Sequence, residues 1–334
     1  MDVIIKKITL KQKLVLKMRS LYSKLFQITA QNYNPHCENE KKVIQHLIYE
    51  KIMEGKPLMV ARMGKTEIDV CENIRWTYFE HHSNWDFIRW KGQPNFLCPW
   101  LIPNFNKLSG FFPYDDEDAL KRFYLLMLDC MHEVDILGSW CSNEVVFDQE
   151  WPQAIKVSRE EMTPLLTDKP WTKALEGKRV LIVHPFAETI KQQISIGGHK
   201  LFPQCPSILP NTHYEVIPAV QTLGSSSDQF KDWFEALQYM KDEIDSYDYD
   251  ICLLGCGAYG FPLAAHCKKS GKQAIHLGGS LQLMYGIIGK RWETDPGYIN
   301  DFPYLGTYKN EYWVRPAIKE TPKISNEVEN GCYW

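Results

Sequence analysis

The sequence predicts an α/β fold, a Rossmann-like doubly wound and mostly parallel sheet of about six strands, with an N-terminal amphipathic helix. Apolar runs alternate with helical patterns, and the runs are continuously apolar. Strands of that kind are buried on both faces, as in a parallel sheet that helices cover on both sides. The predicted strands are 57–64, 133–140, 179–186, 214–220, 249–255 and 273–279.

Composition excludes several classes of protein. The chain has 334 residues, of which 44% are hydrophobic and 24% charged, and these proportions are those of a globular protein. Lys and Arg number 38 against 41 for Asp and Glu. No basic stripe is interleaved with aromatics, so we expect no nucleic-acid partner. The ten cysteines form no C-x-x-C, which indicates reduced, mostly buried thiols. No run approaches ~18 apolar residues and no signal peptide is evident, so we expect a cytoplasmic protein.

Three segments are expected along the chain: a basic amphipathic segment (1–40), a Rossmann-like domain (41–316) and a polar tail (317–334). In the first, apolar residues recur at spacings of three and four and therefore share one helical face. Two interpretations stay open. The face can lie on an anionic membrane surface, at the inner side of the plasma membrane, or pack on the protein itself, which we favour. The apolar face and its flanking lysines are Leu14, Met18, Leu21, Leu25, Ile28, Lys13, Lys17 and Lys24.

Ligands of doubly wound sheets sit beyond the carboxyl ends of the strands, so residues that follow each apolar run are the candidates. The first run ends in "ARMGKTEIDV". In a structural interpretation Thr66 caps the next helix, with Asp69 three residues on. In a functional interpretation Arg62 and the helix N-terminus at Gly64, Lys65 and Thr66 meet a phosphate, while Glu67 binds a metal or sugar hydroxyls. The spacing does not separate the two.

The stretch "LLGCGAYGF" carries a glycine pattern, with Gly255, Gly257 and Gly260 arranged as G-x-G-x-x-G. A dinucleotide site would add an acid after the next strand, which here ends at His276. The pattern therefore indicates close backbone approach to a nucleotide diphosphate, with Tyr259 and His276 as further candidate contacts, rather than NAD binding. In the structural alternative, the glycines only permit tight packing of a helix on a strand.

Other strand ends carry polar candidates. His184 precedes a helix with Glu188 in its first turn, and these two are candidate acid–base residues, although a histidine followed by proline is more often structural. A serine-rich turn offers Ser225 and Ser226 to a phosphate or to a helix N-terminus. The stretch "LGSWCSNE" ends in groups of the kind that sugars require, and its candidate acceptor-binding residues are Trp140, Asn143 and Glu144.

Four stretches, "ARMGKTE", "HPFAETIKQQ", "SSDQFKDWFEALQYMKDEI" and the glycine-containing segment from 249, together resemble bacterial glycosyltransferases of the GT-D fold type. These are proteins encoded with capsule, O-antigen and glycoprotein assembly. The resemblance implies transfer of a sugar from a nucleotide-sugar donor to a glycan or lipid-linked glycan acceptor, with Mn²⁺ or Mg²⁺ near the diphosphate.

The family's first motif, R-[FY]-G-D-G-E, is matched at Arg62, Gly64 and Glu67, but Lys65 occupies the position of the Asp. A site with one of two carboxylates lost binds a divalent metal weakly. We therefore expect transfer that depends little on metal, with Lys65 or Arg62 as the fixed cation beside the diphosphate. The alternatives are an NAD(P)-dependent oxidoreductase and a non-catalytic partner in polysaccharide assembly.

Overall fold

The computed structural model describes residues 8–28, 36–80, 83–165, 167–222, 227, 229–294, 304–321, 331 and 333–334. Its centre is one sheet of seven strands in which every pairing is parallel, in the order β3-β2-β1-β7-β6-β4-β5. The strands are β1 (Leu58–Ala61), β2 (Ile136–Ser139), β3 (Ile155–Ser158), β4 (Arg179–His184), β5 (His213–Pro218), β6 (Ile251–Leu254) and β7 (Gln273–His276).

The predicted α/β class is confirmed, and all six predicted strands exist. The strand that the sequence did not reveal is β3, at the edge of the sheet. Only Val157 of this strand is buried, while Ile155 is exposed. An edge strand that alternates buried and exposed residues lacks the continuous apolar run that identifies the inner strands.

Ten helices are used below: α1 (Leu10–Phe26), α2 (Lys41–Met53), α3 (Lys65–Ile74), α4 (Asn84–Ile88), α5 (Leu101–Ser109), α6 (Glu117–Met131), α7 (Ala187–Ile196), α8 (Gly198–Leu201), α9 (Trp233–Asp245) and α10 (Gly260–Lys269). Short helices also span Arg291–Thr294 and Tyr304–Tyr308. Side chains at the N-cap positions mark where several of these helices begin. Asp116 accepts hydrogen bonds from the first turn of α6, and Asp232 accepts one from α9.

Alternate strand residues separate two cores, one on each face of the sheet. Met59 and Ala61 of β1 point to the first face, which α3, α5, α6, α9 and α10 cover. Leu58 and Val60 point to the second face, which is covered by α2, α7, α8 and the 3₁₀ segment Gly278–Tyr285. This two-sided burial is the doubly wound arrangement that the continuously apolar strands predict.

The packing of the N-terminal helix contradicts one expectation from the sequence. We favoured packing of its leucine stripe on the protein, but α1 docks through a different face. Val15 is buried against Phe87, Ile88 and Phe96, and the Arg19 guanidinium stacks 4.0 Å from the ring centre of Phe87. The stripe itself faces outward, with exposed fractions of 57% at Leu14, 57% at Leu21 and 69% at Leu25.

Beyond residue 316, the described parts of the chain return to the domain. Glu320 accepts hydrogen bonds from the backbone N–H groups of Glu188 and Thr189 at the start of α7. Further on, the Trp334 carbonyl accepts hydrogen bonds from the Lys290 backbone and the Arg315 side chain. These contacts place Trp334 beside residues that follow β4 and β6, at the carboxyl ends of the strands.

The predicted state of the thiols is confirmed for the nine cysteines that the structure describes: none forms a disulfide, and eight are buried. Burial raises the pKa of Cys98 to about 12 and that of Cys130 to about 12. Such thiols carry no nucleophilic thiolate at neutral pH. No helix within the described ranges has the length and apolar character to cross a bilayer.

Candidate functional site

A crevice runs along the carboxyl ends of four neighbouring strands, β1, β7, β6 and β4. The segments that follow these strands alternate between the two faces of the sheet. After β1 and β6 the chain enters α3 and α10 on the first face, whereas after β7 and β4 it enters Gly278–Tyr285 and α7 on the second. Connections that diverge in this way leave a crevice between adjacent strand ends, which is where α/β folds bind ligands.

Arg62 follows β1 and lines both parts of this crevice, the part near β1 and β7 and the part near β6 and β4. Its guanidinium lies across Gly278, where an added Cβ would stand 2.5 Å from Cζ. Gly278 also has a φ of +62°, which favours glycine. Within the described chain Arg62 makes no hydrogen bond or ion pair. A partly buried guanidinium with no acidic partner is a site for an anion, and its fork of donors matches phosphate.

Glu67 lies in the first turn of α3, on the wall of the same crevice. Its carboxyl group folds back over Gly64, where an added Cβ would be 2.7 Å from Cδ. No residue that the structure describes donates a hydrogen bond to Glu67. The structural interpretation of Thr66 is wrong, because α3 starts at Lys65 with Gly64 as its N-cap and Thr66 lies inside the helix.

Lys65 is exposed at the rim of the crevice and forms an ion pair with Asp69, one helical turn on. Asp69 also accepts a hydrogen bond of 2.8 Å from Asn143. Lys65 is therefore already neutralised in part, whereas Arg62 is not. Of the two cations expected beside a diphosphate, Arg62 is the one that the protein leaves available.

The side chains around Glu67 in the crevice do not fit a divalent metal. Glu67 is the one Asp or Glu side chain among the described residues that line the crevice, and its neighbours there include the cations Arg62 and Lys65. Mg²⁺ and Mn²⁺ sites are built from oxygen ligands with a net negative charge. Across the described chain, no group of three or more His, Cys, Asp or Glu side chains is placed to hold a metal ion.

The three glycines of the pattern differ in their surroundings: Gly255 and Gly260 pack against histidine rings, and Gly255 and Gly257 both line the crevice. An added Cβ at Gly255 would lie 3.0 Å from Nε2 of His184, and one at Gly260 would lie 3.0 Å from Cγ of His276. Both glycines thus let a histidine ring approach the backbone. Gly257 has a φ of +57° and no atom within 4 Å of an added Cβ. Its backbone lines the crevice beside Arg62, and close approach to a ligand is open there.

The two histidines are buried, neutral and of opposite tautomer. Nδ1 of His184 accepts a hydrogen bond of 3.0 Å from the backbone N–H of Phe186, so the proton of the neutral ring is on Nε2. Nδ1 of His276 lies 3.1 Å from the carbonyl of Leu254 and must donate to it, which leaves Nε2 as an acceptor. Burial lowers the pKa of His184 to about 3. Burial and then the charge of Arg62 lower the pKa of His276 to about 3.

The tautomer and the lowered pKa of His184 conflict with the acid–base role predicted for this residue. Its bare nitrogen is occupied by the Phe186 N–H, and the ring has almost no tendency to take up a second proton near neutral pH. What it offers to the crevice is an N–H donor at Nε2, which finds no acceptor among the described residues. Glu188 is also not placed as a base, because it is exposed outside the crevice and pairs with Lys191 at 3.3 Å.

Of the three predicted acceptor-binding residues, only Trp140 lines the crevice. Trp140 lines the crevice, with the Arg159 guanidinium 3.9 Å from its ring centre. Asn143 instead bridges Asp69 and Glu72 and ties the segment after β2 to α3. Glu144 is buried, and it accepts hydrogen bonds from the Ser139 hydroxyl and the N–H groups of Trp140 and Cys141. Glu144 therefore stabilises the turn after β2, because its carboxylate oxygens accept hydrogen bonds from groups of that turn.

Tyr259 forms part of the wall near β4 and β6. Its ring stacks on Trp233 at 4.8 Å between centres, and its hydroxyl lies 2.9 Å from that of Thr222. Burial raises the pKa of Tyr259, so the phenol stays protonated. Ser225 and Ser226 lie outside the described residues.

Sequence reasoning missed Tyr333 and Trp334, both of which line the crevice. An added Cβ at Gly279 would be 3.0 Å from Cδ1 of Tyr333, and the Arg291 guanidinium lies 4.0 Å from the ring centre of Tyr333. The only signal in the sequence is the pair of aromatics that ends a polar stretch. A flat ring against a glycine backbone is a surface on which a base or sugar can stack.

Comparisons with known proteins assign no family. No family model matches the chain, and no curated protein matches it. A solved structure described as "Selenomethionine substituted structure of domain of unknown function 1792 (DUF1792)" is similar over 80% of this chain and 82% of its own, with 12% identity and a TM-score of 0.30. Similarity at that level assigns neither family nor function.

Proposed function

We propose that this protein is a glycosyltransferase that moves a sugar from a nucleotide-sugar donor to a glycan acceptor. The observation that carries the proposal is the Arg62 guanidinium, which has no acidic partner in the described chain and lies in a strand-end crevice. The N-terminus of α3 and the open backbone at Gly257 line the same crevice. Together these groups fit a diphosphate, and the neighbouring Glu67 fits sugar hydroxyls.

The residues suggest how the donor is activated. The acceptor hydroxyl attacks the anomeric carbon, the bond from that carbon to the diphosphate oxygen breaks, and the electron pair leaves with the diphosphate. Arg62 then stabilises the charge that grows on the leaving group, and the Nε2–H group of His184 supplies a neutral donor from the β4 side. The acceptor proton passes to solvent or to Glu67, the one Asp or Glu side chain among the described lining residues.

The acceptor belongs on the β1–β2 side of the crevice. The Trp140 ring and the Arg159 guanidinium stacked on it form a flat wall there, and an ion pair with Glu160 offsets part of the charge of Arg159. Trp140 is held in place by the hydrogen bond of 2.9 Å that its indole N–H donates to the carbonyl of Met63. A ring fixed in this way stacks on a sugar face without losing side-chain entropy when the sugar binds. We place the glycan or lipid-linked glycan acceptor on this wall.

A thermal-shift panel tests the proposal. UDP-, GDP-, CMP-, CDP- and dTDP-linked sugars and NADH are each added with and without Mn²⁺, because a ligand at 100 times its Kd stabilises a protein by about 2.7 kcal/mol. We expect a shift with one nucleotide sugar, little changed by EDTA, and its loss in Arg62→Gln. The exposed Arg122, outside the crevice and on α6, supplies the matched control Arg122→Gln.

Other results would favour the alternatives. A shift with NADH alone supports an oxidoreductase, although β7 ends at His276 and no acid follows it to hold a ribose. Silence across the panel supports a non-catalytic partner in polysaccharide assembly. Turnover that EDTA abolishes and Mn²⁺ restores would contradict the assignment of Arg62 as the cation at the diphosphate.

A further inference from the structure

Helix α1 presents an apolar face that nothing in the described chain covers. The exposed fractions are 85% at Leu10, 57% at Leu14, 57% at Leu21 and 69% at Leu25, and Met18 is exposed as well. At spacings of three and four these five side chains form one continuous stripe. We call it the α1 stripe. Contiguous apolar surface of this kind marks a site of interaction.

All the charged side chains of α1 are basic. Lys11, Lys13, Lys17 and Lys24 are exposed, and none forms an ion pair with a residue that the structure describes. The helix Leu10–Phe26 contains no Asp or Glu. The chain as a whole has a formal charge of −3, so this basic segment contrasts with the rest of the surface.

The docked face of α1 fixes the direction in which the stripe points. Arg19 stacks between Phe87 and Trp90, at 4.0 and 4.1 Å from their ring centres, and it donates hydrogen bonds to the carbonyls of Phe87 and Gly92. Val15 is buried beside it. Since Val15 and Arg19 lie on the side of the helix opposite to much of the stripe, docking holds the leucines outward and does not compete with their exposure.

We propose that the α1 stripe docks on an anionic lipid surface, with the leucines at the level of the acyl chains and the lysines at the headgroups. A helix with an apolar face, a basic flank and no acid has the composition of interfacial helices. A second copy of the chain is the less suitable occupant. Pairing two α1 helices would bring their lysines together, with no carboxylate on either helix to offset the repulsion. The proposal does not rest on the proposed transferase activity.

Vesicle flotation of the full chain tests it. We expect binding to vesicles of phosphatidylcholine mixed with phosphatidylglycerol, little binding to phosphatidylcholine alone, and weaker binding as NaCl is raised. Each lysine replaced in Lys13→Gln, Lys17→Gln and Lys24→Gln should lower the partition coefficient about fivefold. The matched control replaces three exposed lysines elsewhere, Lys42→Gln, Lys169→Gln and Lys173→Gln, and leaves binding unchanged.

The apolar contribution is tested separately. Leu14→Gln with Leu21→Gln should lower binding about tenfold or more, while Val43→Gln with Met53→Gln, two exposed apolar residues of α2, should not. Circular dichroism and the Tm of each variant confirm that the fold persists. Equal binding to both kinds of vesicle, or a dimer in sedimentation that Leu21→Gln dissolves while vesicles bind no protein, would overturn the proposal.

Discussion

The guanidinium of Arg62 lies across the backbone of Gly278, which has no side chain to hold it away. One residue follows β1 and the other follows β7, its neighbour in the sheet. The glycine thus leaves the space that the guanidinium occupies. Because Arg62 has no acidic partner in the described chain, its position depends on this steric fit rather than on an ion pair.

Gly278→Ala should therefore weaken binding of a nucleotide diphosphate as strongly as Arg62→Ala, about tenfold or more. The added methyl group occupies the space of the guanidinium and displaces it. Isothermal titration with the nucleotide diphosphate selected by the thermal-shift panel measures the effect.

Strain at a positive φ must be separated from that displacement. Gly271 has a φ of +79° with no atom within 4 Å of an added Cβ. Gly271→Ala thus introduces comparable backbone strain, about 1 kcal/mol, and leaves Arg62 in place. Equal loss of affinity in Gly278→Ala and Gly271→Ala would show that backbone strain, and not displacement of Arg62, accounts for the effect.

Of two glutamates in first helical turns, only Glu67 should affect binding or turnover when it is replaced. Glu67 lines the crevice, and Glu188 is exposed outside it in an ion pair with Lys191. We expect Glu67→Ala to lower affinity for the donor or turnover by about tenfold or more, because sugar hydroxyls lose their acceptor. Glu188→Ala should leave both unchanged. Release of nucleoside diphosphate in the presence of acceptor reports turnover, and an active Glu67→Ala variant would exclude that role.

The buried histidines predict how stability depends on pH. The pKa values of His184 and His276 are lowered to about 3 in the folded state, against about 6.5 when unfolded. Between these values the unfolded chain binds more protons than the folded chain, so the free energy of unfolding rises with pH. This rise is complete above about pH 6.5. From pH 7 to pH 5 each histidine should lower it by about 2 kcal/mol.

Urea unfolding of the wild type and of His184→Gln at pH 7, 6 and 5 measures this contribution as the difference between their slopes against pH. The comparison matters because burial also raises the pKa of Asp69, Glu72 and Glu144, which acts in the opposite direction. Parallel slopes for the two proteins would mean that His184 is not held neutral.

The fold followed from the sequence to a greater extent than the site did. Inner strands are visible because both of their faces are buried, whereas β3 alternates and escapes notice. At the strand ends, the residue types alone do not show the direction of a side chain. Glu144 and Glu67 both follow a strand, yet Glu144 turns inward to three donors and Glu67 faces the crevice. Glu144 turns inward because its donors lie three to five residues before it in the turn after β2, whereas the start of α3 has no side-chain cap hydrogen bond and leaves Glu67 free to face the crevice.

The same limit applies to α1 and to the crevice wall. Spacing identified the leucine stripe, but the docked face depends on Arg19 and on aromatic residues that are distant in the sequence. Tyr333 reaches the crevice from beyond the last predicted strand. Contacts between distant segments carry no periodic signal, so they could not be predicted from local patterns.

Arg19 should control whether α1 stays attached. Its guanidinium contributes two cation–π contacts and two hydrogen bonds to backbone carbonyls, all within the α1–α4 region. We expect Arg19→Ala to lower the free energy of local opening of α1 by about 1–3 kcal/mol, and so to speed amide exchange there about fivefold or more, while the seven strands keep their protection. Arg19→Lys should recover only part of the effect, because an ammonium lacks the planar fork. Hydrogen exchange by mass spectrometry resolves the helix from the sheet. Unchanged exchange in α1 would mean that Val15 and its apolar neighbours are sufficient to hold the helix.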